Sequence, residues 1–212
     1  MRQTWPQVKR PQAVVLGRTN VGKTVFTVNF ALYLGARELA VSFAPPDGQK
    51  ALRFFGGPGA LEELAGPEPH KTRSLQSTTV QVPAGKGAKR FALVDTTGLA
   101  DDIHPEAEVR RGMAQTLSLL REARLILHLL DAAAVGERGP TGSVGEVDYQ
   151  VARLGRARGG GYAILANKMD LPAAPRGLEI IRHEFAGHAI FPISALRREG
   201  FEEVRKFVAH AV

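Results

Sequence analysis

The sequence contains no cysteine among its 212 residues. Disulfide bonds, thiolate zinc sites and cysteine nucleophiles are therefore excluded, and a bound metal must be held by oxygen or imidazole ligands. That ligand set favours a hard cation such as Mg²⁺.

The sequence also lacks a run of about 18 or more apolar residues, the length that a membrane-spanning helix needs. Residues 1–10 contain charges and prolines but no apolar segment followed by a small-residue cleavage site, so no secretion signal is predicted. We expect a soluble, cytoplasmic protein that has no membrane partner.

Acidic residues are outnumbered, with 21 Asp and Glu against 28 Lys and Arg and a formal net charge of +7. The excess suggests a polyanionic partner, while a basic solvated surface is an alternative that stays open. The composition, 44% hydrophobic and 23% charged, is that of a globular protein with one sizeable core. We predict a single domain over residues 1–212.

Five apolar runs have the length and β-branched content of buried strands. They are Gln12–Leu16, Phe91–Val94, Leu125–Leu130, Tyr162–Ala166 and His188–Ile193. Helix-length segments with one apolar face lie between or after these runs. They include Thr24–Leu34, Glu106–Glu122 and Phe201–Val212. This alternation predicts an α/β fold with a mostly parallel sheet and helices on both faces, and the pattern of Thr79–Val82 predicts an edge strand that can run antiparallel.

Three segments rich in glycine or proline interrupt this alternation. The longest is Val41–Ser74, and a loop of that length in a compact domain is usually functional or disordered. Its phenylalanines indicate partial packing, with a short helix around Gly59–Leu64, although a mobile insertion stays open. The shorter connections are Gly136–Gly145 and Arg156–Gly161.

A phosphate-loop pattern, G-x-x-x-x-G-K-[ST], directly follows the first strand. Its residues are Gly17, Arg18, Thr19, Asn20, Val21, Gly22, Lys23 and Thr24. The glycines allow backbone N–H groups to surround phosphates, and the start of the next helix adds the positive end of its dipole. Lys23 supplies a point charge and Thr24 a hydroxyl ligand for Mg²⁺. The pattern predicts that this loop binds a nucleoside triphosphate.

A second motif, Asp95-Thr96-Thr97-Gly98, ends the strand Phe91–Val94. Asp95 emerges beside the phosphate loop, where its carboxylate can hold Mg²⁺ through water. Gly98 can bring its backbone N–H against a γ-phosphate because it has no side chain. A threonine before this strand could complete the Mg²⁺ site, and we favour Thr78 over Thr79.

The base is predicted to lie against Asn167-Lys168-Met169-Asp170, which follows the strand Tyr162–Ala166. The Asp170 carboxylate can accept two hydrogen bonds from guanine, whereas adenine would leave it unpaired at a cost of roughly 1 to 3 kcal/mol. The stem of Lys168 can cover the purine, and Asn167 can tie this loop to the phosphate loop. After the final strand come Ser194, Ala195 and Leu196, where the Ala195 N–H could approach the guanine O6.

In this order, the motifs resemble the five G boxes of the translation-factor-related GTPases, and Gly-x-x-Asn-x-Gly-Lys-Thr with Asp-Thr-x-Gly resembles the Era-like branch. The resemblance extends from Gln12 to Val212. It implies the Ras-like P-loop NTPase fold, with a six-stranded, mostly parallel sheet that has one antiparallel strand. It also implies hydrolysis of GTP to GDP and phosphate with Mg²⁺, and switch segments at residues 71–79 and 98–112.

Leu99 stands where Ras-like proteins have the glutamine that orients the attacking water, and a leucine cannot do that. Era-like proteins share this replacement, and in several of them the residue that corresponds to Asn20 helps to bind K⁺, whose charge stabilises the transition state. The resemblance thus implies catalytic roles for Lys23, Asn20 and Gly98. Two alternatives stay open: Asn20 could cap its own loop, and His104 could position water.

The sequence departs from the family pattern at two places. The insertion before Thr78 is much longer than the family's usual spacing, which weakens the assignment of that threonine. Thr97 replaces the usual proline or alanine, a change that we expect to be tolerated.

Two functions remain open. The first is a GTPase switch that acts on a ribosomal subunit or structured RNA through basic residues near the switches and near other exposed segments. Those residues are Lys71, Arg73, Lys86, Lys89, Arg90, Arg110 and Arg111. The second is an interaction or assembly protein with little turnover, in which Phe43, Phe54 and Phe55 form the partner surface. The sequence does not predict the oligomeric state.

Overall fold

The computed structural model describes residues 11–44, 51–56, 59–64, 75–99, 107–157 and 161–212. Strands and helices alternate through these ranges. The strands are β1 (Gln12–Leu16), β2 (Glu38–Ala44), β3 (Ala51–Gly56), β4 (Leu75–Ala84), β5 (Gly87–Asp95), β6 (Leu125–Asp131), β7 (Tyr162–Asn167) and β8 (Ile190–Pro192). The helices are α1 (Lys23–Tyr33), α2 (Ala60–Leu64), α3 (Ala107–Glu122), α4 (Ala132–Arg138), α5 (Glu146–Ala157), α6 (Ala174–Glu184) and α7 (Phe201–Ala211).

One mixed sheet of eight described strands has the order β3-β2-β4-β5-β1-β6-β7-β8. Neighbours from β5 to β8 are parallel, whereas the β5–β4, β4–β2 and β2–β3 pairs are antiparallel. The α/β class and the mostly parallel sheet are confirmed. The predicted count of six strands with one antiparallel strand is wrong, because β2 and β3 extend the sheet and both β4 and β3 run against the others.

The two additional strands overlap the predicted insertion. Leu39 and Val41 of β2 are buried while Glu38 and Ala40 are exposed, the alternation of a strand with one covered face. This short pattern is obscured in the sequence by the glycines and prolines that follow it. The predicted short helix is confirmed as α2.

Strand β4 corresponds to the predicted antiparallel strand Thr79–Val82, and its direction is confirmed. Its predicted edge position is wrong, since β4 lies between β2 and β5 and β3 forms the edge.

The helices cover both faces of the sheet, as predicted. On one face α1, α2 and α7 bury an apolar cluster in which the rings of Phe26, Phe30 and Phe201 lie 5.1–5.5 Å apart. On the other face α3, α4, α5 and α6 pack against residues such as Leu16 and Ile126. This second core covers the face of the sheet at the neighbouring strands β1 and β6.

Helix α4 runs from Ala132 to Arg138, so the predicted connection Gly136–Gly145 is wrong over its first three residues, which are helical. The backbones of α4 and α6 approach closely there. A Cβ atom on Gly136 would overlap the Ala173 carbonyl, and one on Gly177 would overlap the Ala132 carbonyl. These glycines are therefore a packing surface between two helices rather than breaks in the chain.

The three phenylalanines of the insertion differ in exposure. Phe55 is buried, and the centroid of its ring lies 6.1 Å from that of the Phe43 ring. The guanidinium of Arg53 lies over the Phe43 ring. Phe54 is 61% exposed, beside Leu52 on the same face of β3. The predicted partner surface of three phenylalanines is thus reduced to Phe54.

Candidate nucleotide-binding site

The phosphate loop, residues 17–24, connects β1 to α1. Gly22 precedes the helix with φ 96°, a conformation that favours glycine, and a Cβ there would lie 2.5 Å from Asn167 Nδ2. The helix start has no acidic residue in its first turn, which leaves its N–H groups suited to an anion.

Lys23 lies inside this loop, 7% exposed, and its Nζ donates to the Arg18 carbonyl at 2.8 Å. Burial lowers the pKa of Lys23 to about 8, while the nearby carboxylates of Asp95 and Asp148 oppose that shift. Asn20 is exposed at φ 63° and makes no side-chain hydrogen bond in the described part of the chain. The alternative in which Asn20 caps its own loop therefore finds no support in the geometry.

Thr24 and Asp95 meet as predicted. The Thr24 hydroxyl donates to Asp95 Oδ2 at 2.6 Å, and Asp95 is 1% exposed. Burial raises the pKa of Asp95 to about 6, and the Thr24 hydrogen bond and the Lys23 charge partly offset this. Its second oxygen, Oδ1, is buried and has no partner among the described groups. A buried carboxylate oxygen beside a threonine hydroxyl fits a Mg²⁺ ion, which prefers oxygen ligands.

Gly98 lies against the phosphate loop, where a Cβ would be 2.5 Å from Thr19 Oγ1. The next residue continues this contact, since the Leu99 N–H donates to the Gly17 carbonyl at 3.1 Å. The Leu99 side chain is 2% exposed and belongs to the core, so it cannot orient a water molecule. Thr97 is accommodated, with its hydroxyl 3.4 Å from that of Thr116 on α3.

Asn167 joins the base-side loops to the phosphate loop. Its Nδ2 donates to the Val21 carbonyl at 2.8 Å, and its Oδ1 accepts from the Ala195 N–H at 2.9 Å. The first of these hydrogen bonds corresponds to the predicted link between the Asn167 loop and the phosphate loop. The second gives the Ala195 N–H a different partner from the predicted guanine O6.

Asp170 is oriented by the loop after β8. Ser194 is fully buried, and its hydroxyl donates to Asp170 Oδ1 at 2.6 Å while accepting from the Arg197 N–H at 3.1 Å. Leu196 is 63% exposed, so its side chain contributes no wall to a pocket. Ser194 thus positions the carboxylate, a role that its small size alone did not suggest.

Sequence reasoning missed two polar residues of this network. Asn29 of α1, 3% exposed, donates to the Ala195 carbonyl at 2.8 Å and accepts from Arg198 at 3.2 Å. Asp131 forms an ion pair with Lys168 at 2.6 Å and accepts from the Ala134 N–H as the N-cap of α4. Each had a signal: Asn29 interrupts an apolar helix face, and Asp131 ends an apolar strand as Asp95 does.

Thr78 lies in β4, opposite Leu93 of β5 and Val41 of β2, and is 6% exposed. It lines a small cavity together with Thr24 and Asp95, whereas Thr79 is exposed on the other face. Residues 75–79 of the predicted switch segment are part of strand β4, and the assignment of Thr78 to the switch and to Mg²⁺ stays a prediction. The remainder of that predicted segment, including Lys71 and Arg73, lies outside the described residues.

The second predicted switch, residues 98–112, is described only in part. Gly98 and Leu99 contact the phosphate loop, residues 100–106 with His104 lie outside the described ranges, and α3 begins at Ala107. The side chains of Arg110 and Arg111 are likewise outside them.

Three of the predicted partner-binding basic residues can be located. Lys86, Lys89 and Arg90 are exposed on the β4–β5 hairpin, at the opposite end of β5 from Asp95. They therefore belong to an exposed segment away from the switch segments, and their role in binding a partner stays a prediction.

The described ranges hold neither a cluster of metal-ligating side chains nor a membrane-spanning helix. They contain no group of three or more His, Cys, Asp or Glu side chains arranged as a metal site. No helix in them has the length and apolarity needed to cross a membrane.

Solved structures share this fold. A variant of Aquifex aeolicus Era bound to GDP and AlF4⁻ superposes with a TM-score of 0.65 at 20% identity, over 95% of this chain and 56% of that chain. Era in complex with MgGDPNP and nucleotides 1506–1542 of 16S ribosomal RNA gives a TM-score of 0.64 at 19% identity, with the same coverage. The Ras-like fold and the Era-like resemblance are confirmed.

Curated sequences point to the same group. GTPase Obg of Halalkalibacterium halodurans is 29% identical over 126 residues, which are 58% of this chain and 29% of that protein. The chain thus spans roughly a third of the curated relatives that it matches. A family model described as "50S ribosome-binding GTPase" matches residues 59–168, a range that includes Asp95, Gly98 and Asn167 and begins after the phosphate loop. That range is more than half of the 212 residues, and the chain belongs to this GTPase family.

Proposed function

We propose that residues 1–212 form one G domain that binds GTP with Mg²⁺ and hydrolyses it to GDP and phosphate. In this proposal residues 41–74 are an insertion that leads into the first switch. The observation that carries it is Asn167, whose two hydrogen bonds join the phosphate loop to the loops on the base side. One ligand with a triphosphate at one end and a base at the other fits loops tied together in this way.

The phosphate end is assigned to the loop amides of residues 17–22 and to Lys23. Thr24, Asp95 and Thr78 are assigned to Mg²⁺, which when bound neutralises phosphate charge. The unpartnered Asp95 Oδ1 and the Thr24 hydroxyl supply the oxygen ligands. Gly98 contributes its backbone N–H to the γ-phosphate, because its contact with Thr19 holds it at the edge of the loop.

The base end is assigned to Asp170, oriented by Ser194, and to Lys168, held by Asp131. Asp170→Asn should move the preference from guanine towards xanthine nucleotides, since an amide offers a donor to the changed base edge. Titrations of GDP, XDP and ADP against both proteins measure this. The wild type should prefer GDP to ADP by about tenfold or more, and comparable affinities for the two would contradict the base assignment.

We also propose that K⁺ stimulates hydrolysis through Asn20. Leu99 is buried, so the position after Gly98 supplies no polar group, and Asn20 is exposed in the loop with no side-chain hydrogen bond to a described residue. Replacing Na⁺ by K⁺ at constant ionic strength should raise the rate of phosphate release. Equal rates in both salts, or full stimulation in Asn20→Ala, would favour a catalytic group supplied by a partner.

The proposed partner is a ribosomal subunit or structured RNA, and the proposed location is the cytoplasm. The family description and the RNA in the Era complex support the partner. Sedimentation with purified subunits in GDP and in a non-hydrolysable GTP analogue tests it, and no co-sedimentation at low salt in either state would remove it.

An assembly protein with little turnover is a second candidate, favoured by the exposed Phe54 and Leu52 on the edge strand β3. Steady turnover of the isolated chain separates the two candidates, because assembly without turnover predicts nucleotide-dependent oligomers instead.

A further inference from the structure

An open groove of about 580 Å³ lies between the β4–β5 hairpin and α7, far from the nucleotide-binding loops. We call it the basic groove. It is lined by Pro83, Ala84, Gly85, Lys89, Arg205, Lys206, Ala209 and His210. Lys86 is exposed at the hairpin turn beside these residues.

Lys89, one of the cations of the groove, is fixed by the end of α7. Lys89 Nζ donates to the carbonyls of Ala209 and Val212 at 3.2 and 2.8 Å, and Arg124 Nε donates to the Ala211 carbonyl at 2.9 Å. Both side chains thereby satisfy the free carbonyls at the negative end of the α7 dipole. Of these two cations, Lys89 is the one that lines the groove.

Acidic residues are sparse around this groove. Residues 75–90 and 204–212 contain no Asp or Glu. The nearest acids along α7 are Glu202 and Glu203 in its first turn, which pair with Arg205 and Lys206. Lys206 remains 58% exposed, and surface pairs of this kind are worth little in water, so a stronger anion can compete for it.

The lining also excludes other kinds of partner. Its apolar members are proline and alanine, and the large exposed apolar side chains of the described residues lie elsewhere. A protein interface usually has aromatic or aliphatic anchors, and a membrane-inserting surface needs bulky apolar groups. Small apolar residues between Lys and Arg side chains instead suit a phosphate backbone, to which such side chains donate.

We propose that the basic groove binds the phosphate backbone of structured RNA, whatever nucleotide the G domain holds. This rests on the RNA partner proposed above and assigns the surface that contacts it. Lys89 of the groove lies six residues before Asp95 along β5, which corresponds to about 20 Å. The RNA is therefore anchored at one end of the sheet while the nucleotide-binding loops at the other end stay accessible.

Binding of a fluorescein-labelled RNA hairpin, followed by anisotropy across a salt series, tests this proposal. The double variant Lys86→Gln, Lys206→Gln removes one exposed cation from each wall of the groove. Arg176→Gln, Arg182→Gln removes the same charge from exposed positions on α6 and is the matched control. Lys86→Arg, Lys206→Arg keeps the charge and should retain binding.

The RNA affinity of the wild type should fall between about 50 and 200 mM salt. Loss of two phosphate contacts should make this fall about tenfold smaller in the groove variant. The control should match the wild type, and the effect should be equal with GDP and with a non-hydrolysable GTP analogue. Wild-type salt dependence in the groove variant would overturn the proposal, as would binding to anionic vesicles but not to RNA. Phosphate release is measured on the same proteins, so a failure of the groove and a failure of GTP hydrolysis are separate results.

Discussion

Single side chains hold the nucleotide-binding loops of this protein together. Asn167 reaches the phosphate loop and the Ala195 amide, and Asn29 reaches the Ala195 carbonyl from α1. The backbone N–H and C=O of Ala195 are thus each hydrogen-bonded to an asparagine side chain. Because these bonds are buried, removing one partner leaves the other unsatisfied, at a cost of about 1–3 kcal/mol.

Asn29→Ala should therefore speed the release of GDP, since the Ala195 carbonyl loses its donor and the loop that carries Ser194 and Asp170 loosens. We expect dissociation to be about tenfold faster, measured by fluorescence with a labelled GDP. Tyr33→Phe is the matched control, because it removes another α1 hydrogen bond, from Tyr33 to Glu202, away from the loops. An Asn29→Ala protein with wild-type GDP release would show that Asn167 suffices.

At the scale of elements, the contact between α4 and α6 depends on two glycines inside helices. In an isolated helix, replacing glycine by alanine is favourable by about 1 kcal/mol. Here the same replacement should be destabilising, because the new Cβ would overlap a backbone carbonyl of the other helix. Neither helix can move away without disturbing the sheet beneath it.

Gly177→Ala should consequently lower the free energy of unfolding by about 1–3 kcal/mol, the usual range for overpacking. Urea unfolding measures it. Gly142→Ala serves as the control, since its Cβ would lie 3.5 Å from the Arg138 Cβ, an ordinary contact. A Gly177→Ala protein as stable as the wild type would mean that α4 and α6 separate at little cost.

For the whole molecule, we expect the nucleotide to be a major stabilising ligand, since the proposed site combines loops from four places in the chain. A ligand at a hundred times its dissociation constant adds about 2.7 kcal/mol to the free energy of unfolding. GDP with Mg²⁺ should therefore raise the melting temperature by several degrees, and ATP should not.

Lys23→Ala should lose most of this GDP-dependent shift while melting like the wild type without nucleotide. The charge of Lys23 is already disfavoured by burial, which lowers its pKa to about 8, so its removal costs the free fold little. Differential scanning fluorimetry with and without GDP gives both numbers. Unfolding of Lys23→Ala in the absence of nucleotide would instead assign Lys23 a structural role.

The amino-acid sequence by itself determined the parts of this protein whose signals are local. The phosphate loop, Asp95 at the end of β5 and Asn167 at the end of β7 are recognisable because each follows an apolar run along the chain. Helices α1, α3 and α7 were predictable for the same reason, since residues three and four apart share one helix face.

Only the tertiary structure decided which distant residues meet. The sequence does not show that β2 and β3 extend the sheet, that Thr78 lies in a strand, or that Asn29 contacts Ala195. Nor does it show that Lys86 and Lys89 lie towards the opposite end of β5 from Asp95. Pairing between strands, and contacts between a helix and a loop 166 residues away, depend on packing that no local pattern encodes.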